Sequence, residues 1–294
     1  MHRNSWSRMT VIVLSALVAL VALCILATAL GRWRFERMVE REVAALYDGA
    51  APEAPPIPLA EAIADLPPPV QRYLRFALPD PAPRPTAARI HHGGLFRLAP
   101  DKDFWPIQGE QYYTVRRPGF VWHARIRLAP LTWFEVRDFY RQGQGGIWGK
   151  LWSLFTVVRS EGSPEIAQGA LLRWLGEAAW LPQAWLDREQ LQWEPIDDEQ
   201  ARVTLTDSEV RVSGVLTVNA QGQLIHFDSP DRPMEVDGKL VPTPWRATFT
   251  DYRQVQGVRI PFTGAVAWEL QEGPFEYARF TLEHVDYGIP TRLE

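Results

Sequence analysis

Two polar residues, His92 and Glu177, are the candidates for acid–base chemistry in this sequence. Glu177 lies in the apolar segment LLRWLGEAAWL, where burial would raise the pKa of a carboxyl group, as a general base requires. His92, next to Gly93 and Gly94, could supply the second group. The alternative for Glu177 is an ion pair with Arg173, four residues earlier, on the solvent side of the helix, and we favour it. For His92 the alternative is an ordinary strand histidine.

The remaining histidines and serines show no catalytic or metal-binding pattern. Neighbouring residues of a strand point to opposite faces, so His91 and His92 cannot share one metal ion. His123, His226 and His284 lack a ligand spacing such as His-x-x-x-His, and no GxSxG sequence occurs. We therefore predict no metal, no cofactor and no nucleophilic catalytic residue.

Aromatic residues are the strongest remaining signal. Eleven of the thirteen tryptophans fall between Trp105 and Trp268. Taken singly they are explained as core residues, but as a set they could line an apolar cavity for a lipid-like ligand. The predicted cavity residues are Phe120, Trp122, Trp174, Trp245 and Trp268.

An α+β fold would have to position these residues. Helical spacing marks PPPVQRYLRFAL, starting near Pro69, and a second helix that follows an N-cap at Ser163 and is broken at Pro182. After Ala88 the apolar period becomes two, which is typical of strands, and RQGQGG reads as a hairpin turn. We predict about ten antiparallel strands in a curved sheet, a half-barrel closed by helices, within residues 59–294.

The N-terminal run Met9–Leu30 contains no charged residue and is long enough to cross a bilayer as a helix. A cleavable signal peptide is the alternative, because Ala27-Thr28-Ala29 has the small-x-small pattern of a cleavage site. The run is longer than a usual signal core, so we favour a retained anchor. Residues 32–47 place Phe35, Met38, Val39, Val43 and Leu46 on one helical face, so the helix could continue beyond the membrane.

Three units follow from this pattern: an anchor with its juxtamembrane helix (1–48), a Pro-rich linker (49–58) and the half-barrel domain (59–294). Arg3 and Arg8 precede the apolar run, and four arginines interleaved with glutamates follow it, so the charges leave the orientation open. We expect a single-pass protein of the cytoplasmic (inner) membrane with its C-terminal domain outside the cytoplasm. The net charge of −4 does not favour nucleic-acid binding.

Several motifs of this chain resemble those of known protein families. In the order PPPVQRYLRFAL, HGGLFR, GFVWHARI, LLRWLGEAAWLPQAWL and DYRQVQGVRIPF, the chain resembles a family of membrane-anchored bacterial proteins defined only as a domain of unknown function, over residues 65–290. More distantly, YR-x-V-x-G-V-x-I-P near the end is similar to lipoprotein-carrier and lipoprotein-sorting proteins. That resemblance implies a half-barrel closed by helices around a cavity for acyl chains.

The sequence thus predicts a membrane-tethered, non-catalytic binding protein whose partners are the bilayer and an apolar or lipid-like ligand. Two alternatives stay open. One is an envelope enzyme with an acid–base pair such as Glu177 and His92, and the other is a scaffold that holds a protein partner through its aromatic surface.

Overall fold

The computed structural model describes residues 3–52 and 54–288, with side chains from residue 9 onward, so the side chains of Arg3 and Arg8 lie outside the described residues. Within these residues there are four α-helices: α1 (Arg3–Asp48), α2 (Leu59–Ala62), α3 (Pro68–Ala77) and α4 (Pro164–Glu177). Two 3-10 turns, Ala178–Trp180 and Pro182–Leu186, extend α4. The strands are β1 (Ala87–Phe96), β2 (Trp105–Thr114), β3 (Gly119–Ala129), β4 (Thr132–Arg141), β5 (Gln144–Leu151), β6 (Phe155–Glu161), β7 (Leu191–Pro195), β8 (Gln200–Asp207), β9 (Val210–Val218), β10 (Leu224–Val236), β11 (Lys239–Val255), β12 (Val258–Leu270) and β13 (Gly273–Tyr287).

All thirteen strands form one antiparallel sheet in the order β6-β5-β4-β3-β2-β1-β13-β12-β11-β10-β9-β8-β7. The sheet is open and curved, so the predicted α+β class is confirmed. The number of strands is larger than the ten expected, and the short neighbours β5 and β6 contribute to the difference. The turn between them is made by Trp152 and Ser153 at φ values of 54° and 59°, and a tryptophan is not a residue type that indicates a turn in a sequence.

Helix α4 fills the concave side of the sheet. Ser163 caps it by accepting a hydrogen bond from the Ile166 backbone N–H at 3.2 Å, and Pro164 takes the first helical position. Its apolar stripe is buried against β5, β9 and β10. Helix α3 closes the side of the same core with Val70, Tyr73 and Leu74, all fully buried. Both predicted helices are therefore present.

Helix α1 continues without a break from the apolar run onto the domain. Phe35, Val39 and Leu46 are buried on the convex face of the sheet, where they contact Tyr112 and Val121. The run Met9–Leu30 is exposed along nearly its whole length. The most apolar 18-residue stretch of this helix has a mean hydropathy of 3.0, which is high enough for a membrane anchor or a signal sequence. The predicted continuation of the helix is confirmed.

The segment after α1 is attached to the domain at two points. Ala51 is buried, and Ile57 pairs with Ala82 through backbone hydrogen bonds of 2.8 and 3.0 Å. The distance between the apolar run and the sheet is therefore fixed by α1, because α1 contacts the convex face before the chain enters residues 49–58.

Candidate ligand cavity on the concave face

A cavity of about 420 Å³ remains between the concave face of the sheet, α4 and the β10–β11 hairpin. Its size lies within the range of small-molecule binding pockets. Most of its wall is apolar, and nine aromatic side chains contribute to it: Phe96, Trp122, Trp180, Trp245, Phe249, Trp268, Phe275, Tyr277 and Phe280.

Three of the five predicted cavity residues, Trp122, Trp245 and Trp268, lie on this wall. Phe120 and Trp174 belong to the filled core instead, with 0% and 2% of their surface exposed. The Trp174 indole N–H donates to the Thr114 carbonyl at 3.3 Å. Alternation along a strand identifies the inward-facing residues, but it does not show whether the space beyond them is filled.

Glycine at position 176 lets α4 approach the cavity wall closely. A Cβ there would lie 3.1 Å from Phe227 Cδ1 and 3.2 Å from Trp245 Cζ3, tighter than ordinary side-chain packing. The helix thus packs closely against Trp245, whose indole N–H also donates a 3.0 Å hydrogen bond to Tyr277 Oη. Cavity shape therefore depends on packing across elements distant in sequence.

Arg173 is the centre of a satisfied polar network at the inner end of the cavity. It donates to Glu177 Oε1 at 2.8 Å, to Asp138 Oδ2 at 2.7 Å and to Gln111 Oε1 at 2.9 Å. The guanidinium also lies over the rings of Phe120 and Trp122. Burial alone would lower the pKa of Arg173, but the two carboxylates outweigh it and raise that pKa above its usual value.

Glu177 forms the predicted pair with Arg173, but it faces the interior instead of solvent. Only 12% of each side chain is exposed. The second oxygen of Glu177 accepts hydrogen bonds from Gln111 at 2.7 Å and Tyr113 at 3.0 Å. Three donors, from Arg173, Gln111 and Tyr113, thus hold both oxygens of this carboxylate in place.

His92 is buried beside Trp122 and is kept neutral. The Trp122 indole N–H donates to His92 Nε2 at 2.8 Å, and Nδ1 lies 3.3 Å from the Gly93 carbonyl. Burial lowers the pKa of His92 to about 4. Among the described residues no hydrogen bond joins His92 to Glu177, so the geometry does not assemble the acid–base pair. His91 points to the other face, 3.3 Å from Glu110, as strand alternation requires.

Arg232, which the sequence analysis did not single out, lies on the cavity wall with most of its donors unused. Its guanidinium lies over the rings of Trp245 and Trp268, at 4.7 and 5.2 Å from their centroids, and donates to Tyr277 Oη at 2.8 Å. Its buried Nε has no hydrogen-bond partner, and none of the ion pairs within the described part of the chain involves it. The prolines in SPDRPMEV read as a loop, whereas the structure continues β10 through them.

No group of three or more His, Cys, Asp or Glu side chains within residues 3–52 and 54–288 is arranged to hold a metal ion. The polar groups of the cavity are therefore the Arg173 network, Arg232, the exposed Glu235 and Arg97, whose donors reach the backbone carbonyls of Glu276 and Pro100.

Solved structures with a similar overall fold include a domain described as an outer membrane lipoprotein-sorting protein from Vibrio parahaemolyticus (14% identity, TM-score 0.42, covering 70% of this chain and 87% of that one). A LolA superfamily protein from Nitrosomonas europaea (13%, 0.40, 76% and 93%) and a DUF1329 family protein from Desulfovibrio piger (12%, 0.43, 80% and 95%) are also similar. At these identities and TM-scores, the likeness says nothing of ligand or partner.

Among proteins with curated descriptions, none matches this sequence. The pattern of DUF6544, a family of unknown function, matches residues 56–280, which include α3, α4 and every strand of the cavity wall except the last seven residues of β13. The match covers well over half of the chain and confirms the resemblance inferred from the sequence motifs. The protein is a member of the DUF6544 family.

Proposed function

We propose that this protein is a membrane-tethered, non-catalytic binding protein of the cell envelope that holds a lipid-like molecule in the concave cavity. The observation that supports this most strongly is the 420 Å³ of unfilled, aromatic-lined space beside a polar network whose members already satisfy one another. Each methylene group buried there would contribute about 0.8 kcal/mol. Helix α1 would keep the domain at the inner membrane, with the domain outside the cytoplasm.

Arg232 is the group that would select the ligand's head. A carboxylate or phosphate placed at the guanidinium would gain a charge-assisted hydrogen bond without displacing an existing ion pair. The two indoles beneath the guanidinium keep it in place and are themselves part of the apolar wall. The proposed ligand is therefore an acyl chain with one anionic head group.

Photolabelling tests the occupancy of the cavity. The full chain is reconstituted in nanodiscs that contain palmitic acid with a diazirine on its chain, and labelled peptides are identified by mass spectrometry. We expect label on the β11 and β12 peptides that carry Trp245 and Trp268, as well as on Met9–Leu30. Label on Met9–Leu30 alone would contradict ligand binding in the cavity.

A blocking variant sharpens this test. Val266 lies on the cavity wall, so Val266→Trp should remove label from β11 and β12 and leave label on α1 unchanged. Ile196→Trp is the matched control, because Ile196 is 45% exposed in the β7–β8 turn and does not line the cavity. Val266→Phe, a smaller change, serves if the tryptophan variant fails to fold.

Competition tests the role of Arg232. Unlabelled palmitic acid should displace the diazirine probe better than hexadecanol does, and Arg232→Met should remove about a tenfold preference for the acid. Arg253→Met, which removes an exposed arginine paired with Asp251, should keep the preference. Equal competition by acid and alcohol in the unaltered chain would rule out head-group selection by Arg232.

A further inference from the structure

The point where the apolar run of α1 ends is in contact with the tip of one hairpin of the sheet. A Cβ built on Gly31 would lie 2.7 Å from the Ser153 carbonyl oxygen and 2.8 Å from Leu154 Cδ2. Glycine is the residue that allows this approach. The β5–β6 turn is therefore level with the first residue after Leu30, where a membrane-spanning helix leaves the hydrocarbon.

The direction of α1 shows which end of the sheet faces the bilayer. The centroid of the Phe35 ring lies 5.5 Å from that of His123 and 5.9 Å from that of Trp148. Leu46, three turns later in the helix, contacts Gly119 at the start of β3. Helix α1 thus runs antiparallel to β3. Its apolar run extends past the end of β3, where the β3–β4 and β5–β6 turns lie side by side.

Those two turns carry large apolar side chains that are exposed to solvent. Leu131 in the β3–β4 turn is 84% exposed, and Phe155 and Val157 at the start of β6 are 60% and 61% exposed. The Trp152 ring packs edge-on against Phe155, 6.3 Å between centroids. Contiguous apolar surface of this kind marks an interaction site.

The two tips are braced, so this apolar surface keeps its shape. The Trp152 indole N–H donates to the Leu131 carbonyl at 3.0 Å, which joins one turn to the other. The Ser153 hydroxyl donates to Glu135, a fully buried carboxylate that also accepts from His123 at 2.9 Å. Left-handed backbone at Trp152 and Ser153 costs free energy, and such strain persists where surrounding contacts enforce it.

Two cations lie close to the apolar tips. Arg159 and Lys150 both lie over the Trp148 ring, at 5.1 and 4.5 Å from its centroid, and Arg159 also pairs with Glu161 at 3.5 Å. Burial, with the neighbouring charges of Arg159 and Arg34, lowers the pKa of Lys150. Apolar tips with cations beside them complement the lipid tails and anionic head groups of a bilayer surface.

We propose that the β3–β4 and β5–β6 tips form a docking surface for the bilayer that α1 spans, with Leu131, Trp152 and Phe155 inserted at the interface. The proposal rests on the membrane anchor of the proposed function but not on ligand binding. It also places the cavity near lipid, because Phe96 and Leu98 of the cavity wall lie at the same end of β1, two strands from β3.

Site-specific fluorescence tests the docking surface on the full chain. Cys24, the only cysteine, is replaced by Cys24→Ser, and single cysteines are introduced as Leu131→Cys, Phe155→Cys or Ile196→Cys. Ile196 is the matched control, an apolar residue 45% exposed in the β7–β8 turn. Each variant is labelled with bimane and reconstituted in vesicles of phosphatidylcholine and phosphatidylglycerol.

Brominated phosphatidylcholine should quench the labels at positions 131 and 155 several-fold more strongly than the label at 196, and aqueous iodide should show the reverse order. Equal quenching at all three positions would overturn the proposal. Protection from iodide without quenching by bromolipid would also overturn it, since a second copy or another protein would then cover the tips.

An alkaline wash of the same vesicles separates this proposal from the anchor on which it rests. A chain that stays in the vesicles while the labels at 131 and 155 remain open to iodide refutes docking alone. A chain that washes out refutes the membrane anchor, and with it the docking surface.

Discussion

The two faces of the sheet bury their aromatic and charged side chains in different ways. On the concave face, α4 covers the sheet incompletely and leaves about 420 Å³ between Trp245, Trp268 and its own Gly176. On the convex face, α1 packs against Tyr112 and Val121, and the cleft beside it holds about 220 Å³ bordered by Arg41, Glu42 and Arg141.

Charge is distributed differently as well. The convex face carries ion pairs that tie strands to α1, such as Arg137 with Glu42 and Glu161, each at 2.9 Å. The concave face concentrates its charge in the Arg173 network and leaves Arg232 without an acidic partner in the described residues. The convex face thus fixes the position of the domain on α1, while the concave face keeps open space and a cation without an acidic partner among the described residues.

Among the substitutions that test this comparison, the replacement of Arg173 should change the free energy of unfolding most. Arg173→Met leaves Asp138 and Glu177 as buried, uncompensated carboxylates, so we expect a loss of about 3–5 kcal/mol in the free energy of unfolding. Urea titration of the full chain in detergent micelles, followed by tryptophan fluorescence, measures it. Arg202→Met removes a partner that is 44% exposed and 3.8 Å from Glu194, so it should cost less than about 1 kcal/mol. Equal losses would mean that the network does not support the concave face.

Removing the main contact of α1 tests the convex face. Phe35 is 2% exposed between His123 and Trp148, so Phe35→Ala should cost about 3 kcal/mol in the same titration. Trp33→Ala is the control, because Trp33 lies two residues before Phe35 in the same helix and is 54% exposed. No difference between the two variants would show that α1 is only a tether.

Acid should weaken the concave face through His92. The pKa of this histidine is about 4 in the folded chain because it is buried, against about 6.5 in an unfolded chain. The unfolded state therefore binds more protons between these values, and stability falls as the pH decreases through this window. For His92 alone the loss from pH 7.5 to 5 should be about 2 kcal/mol.

The matched variant for this pH dependence is His92→Gln, whose amide oxygen can still accept from Trp122. Urea titrations at a series of pH values should show a shallower fall in the variant. Glu135 contributes at lower pH: burial would raise its pKa, but hydrogen bonds from His123 and Ser153 outweigh burial and lower it. Its stabilisation is lost below about pH 4.5. An unchanged slope in the glutamine variant would assign the fall above pH 5 to other groups.

Periodicity and helix signals were sufficient to predict the architecture. The cap at Ser163, the break at Pro182 and the alternation in β3 are local features, and each predicts an element that the structure contains. The turn at Trp152 and Ser153 could not be predicted in this way, because contacts with Glu135 and the β3–β4 turn enforce it. Local sequence carries no trace of such distant contacts.

The candidate site was predictable only in part for the same reason. Phe120 and Trp122 both face inward by alternation, yet only Trp122 lines the open space, whereas Phe120 is fully buried in the core. Arg232 lies between two prolines, and its place over Trp245 and Trp268 depends on the irregular pairing of β10 with β11. Whether an inward-facing side chain lines a cavity is decided by the elements on the other side.

One methyl group added to each face of the sheet should give the smallest change in the free energy of unfolding, and it compares the packing of the two faces most directly. At Gly264, on the cavity wall, a Cβ would lie 3.5 Å from Trp180, an ordinary contact. At Gly146 it would lie 2.6 Å from Glu161 Cγ and 2.8 Å from Phe139 Cε1, which are convex-side groups. Gly264→Ala should therefore change the free energy of unfolding by less than about 0.5 kcal/mol, and Gly146→Ala should lower it by about 1–3 kcal/mol through overpacking. Comparable losses in the urea titration would mean that the concave face is as tightly filled as the convex one, and that the cavity has no room for a ligand.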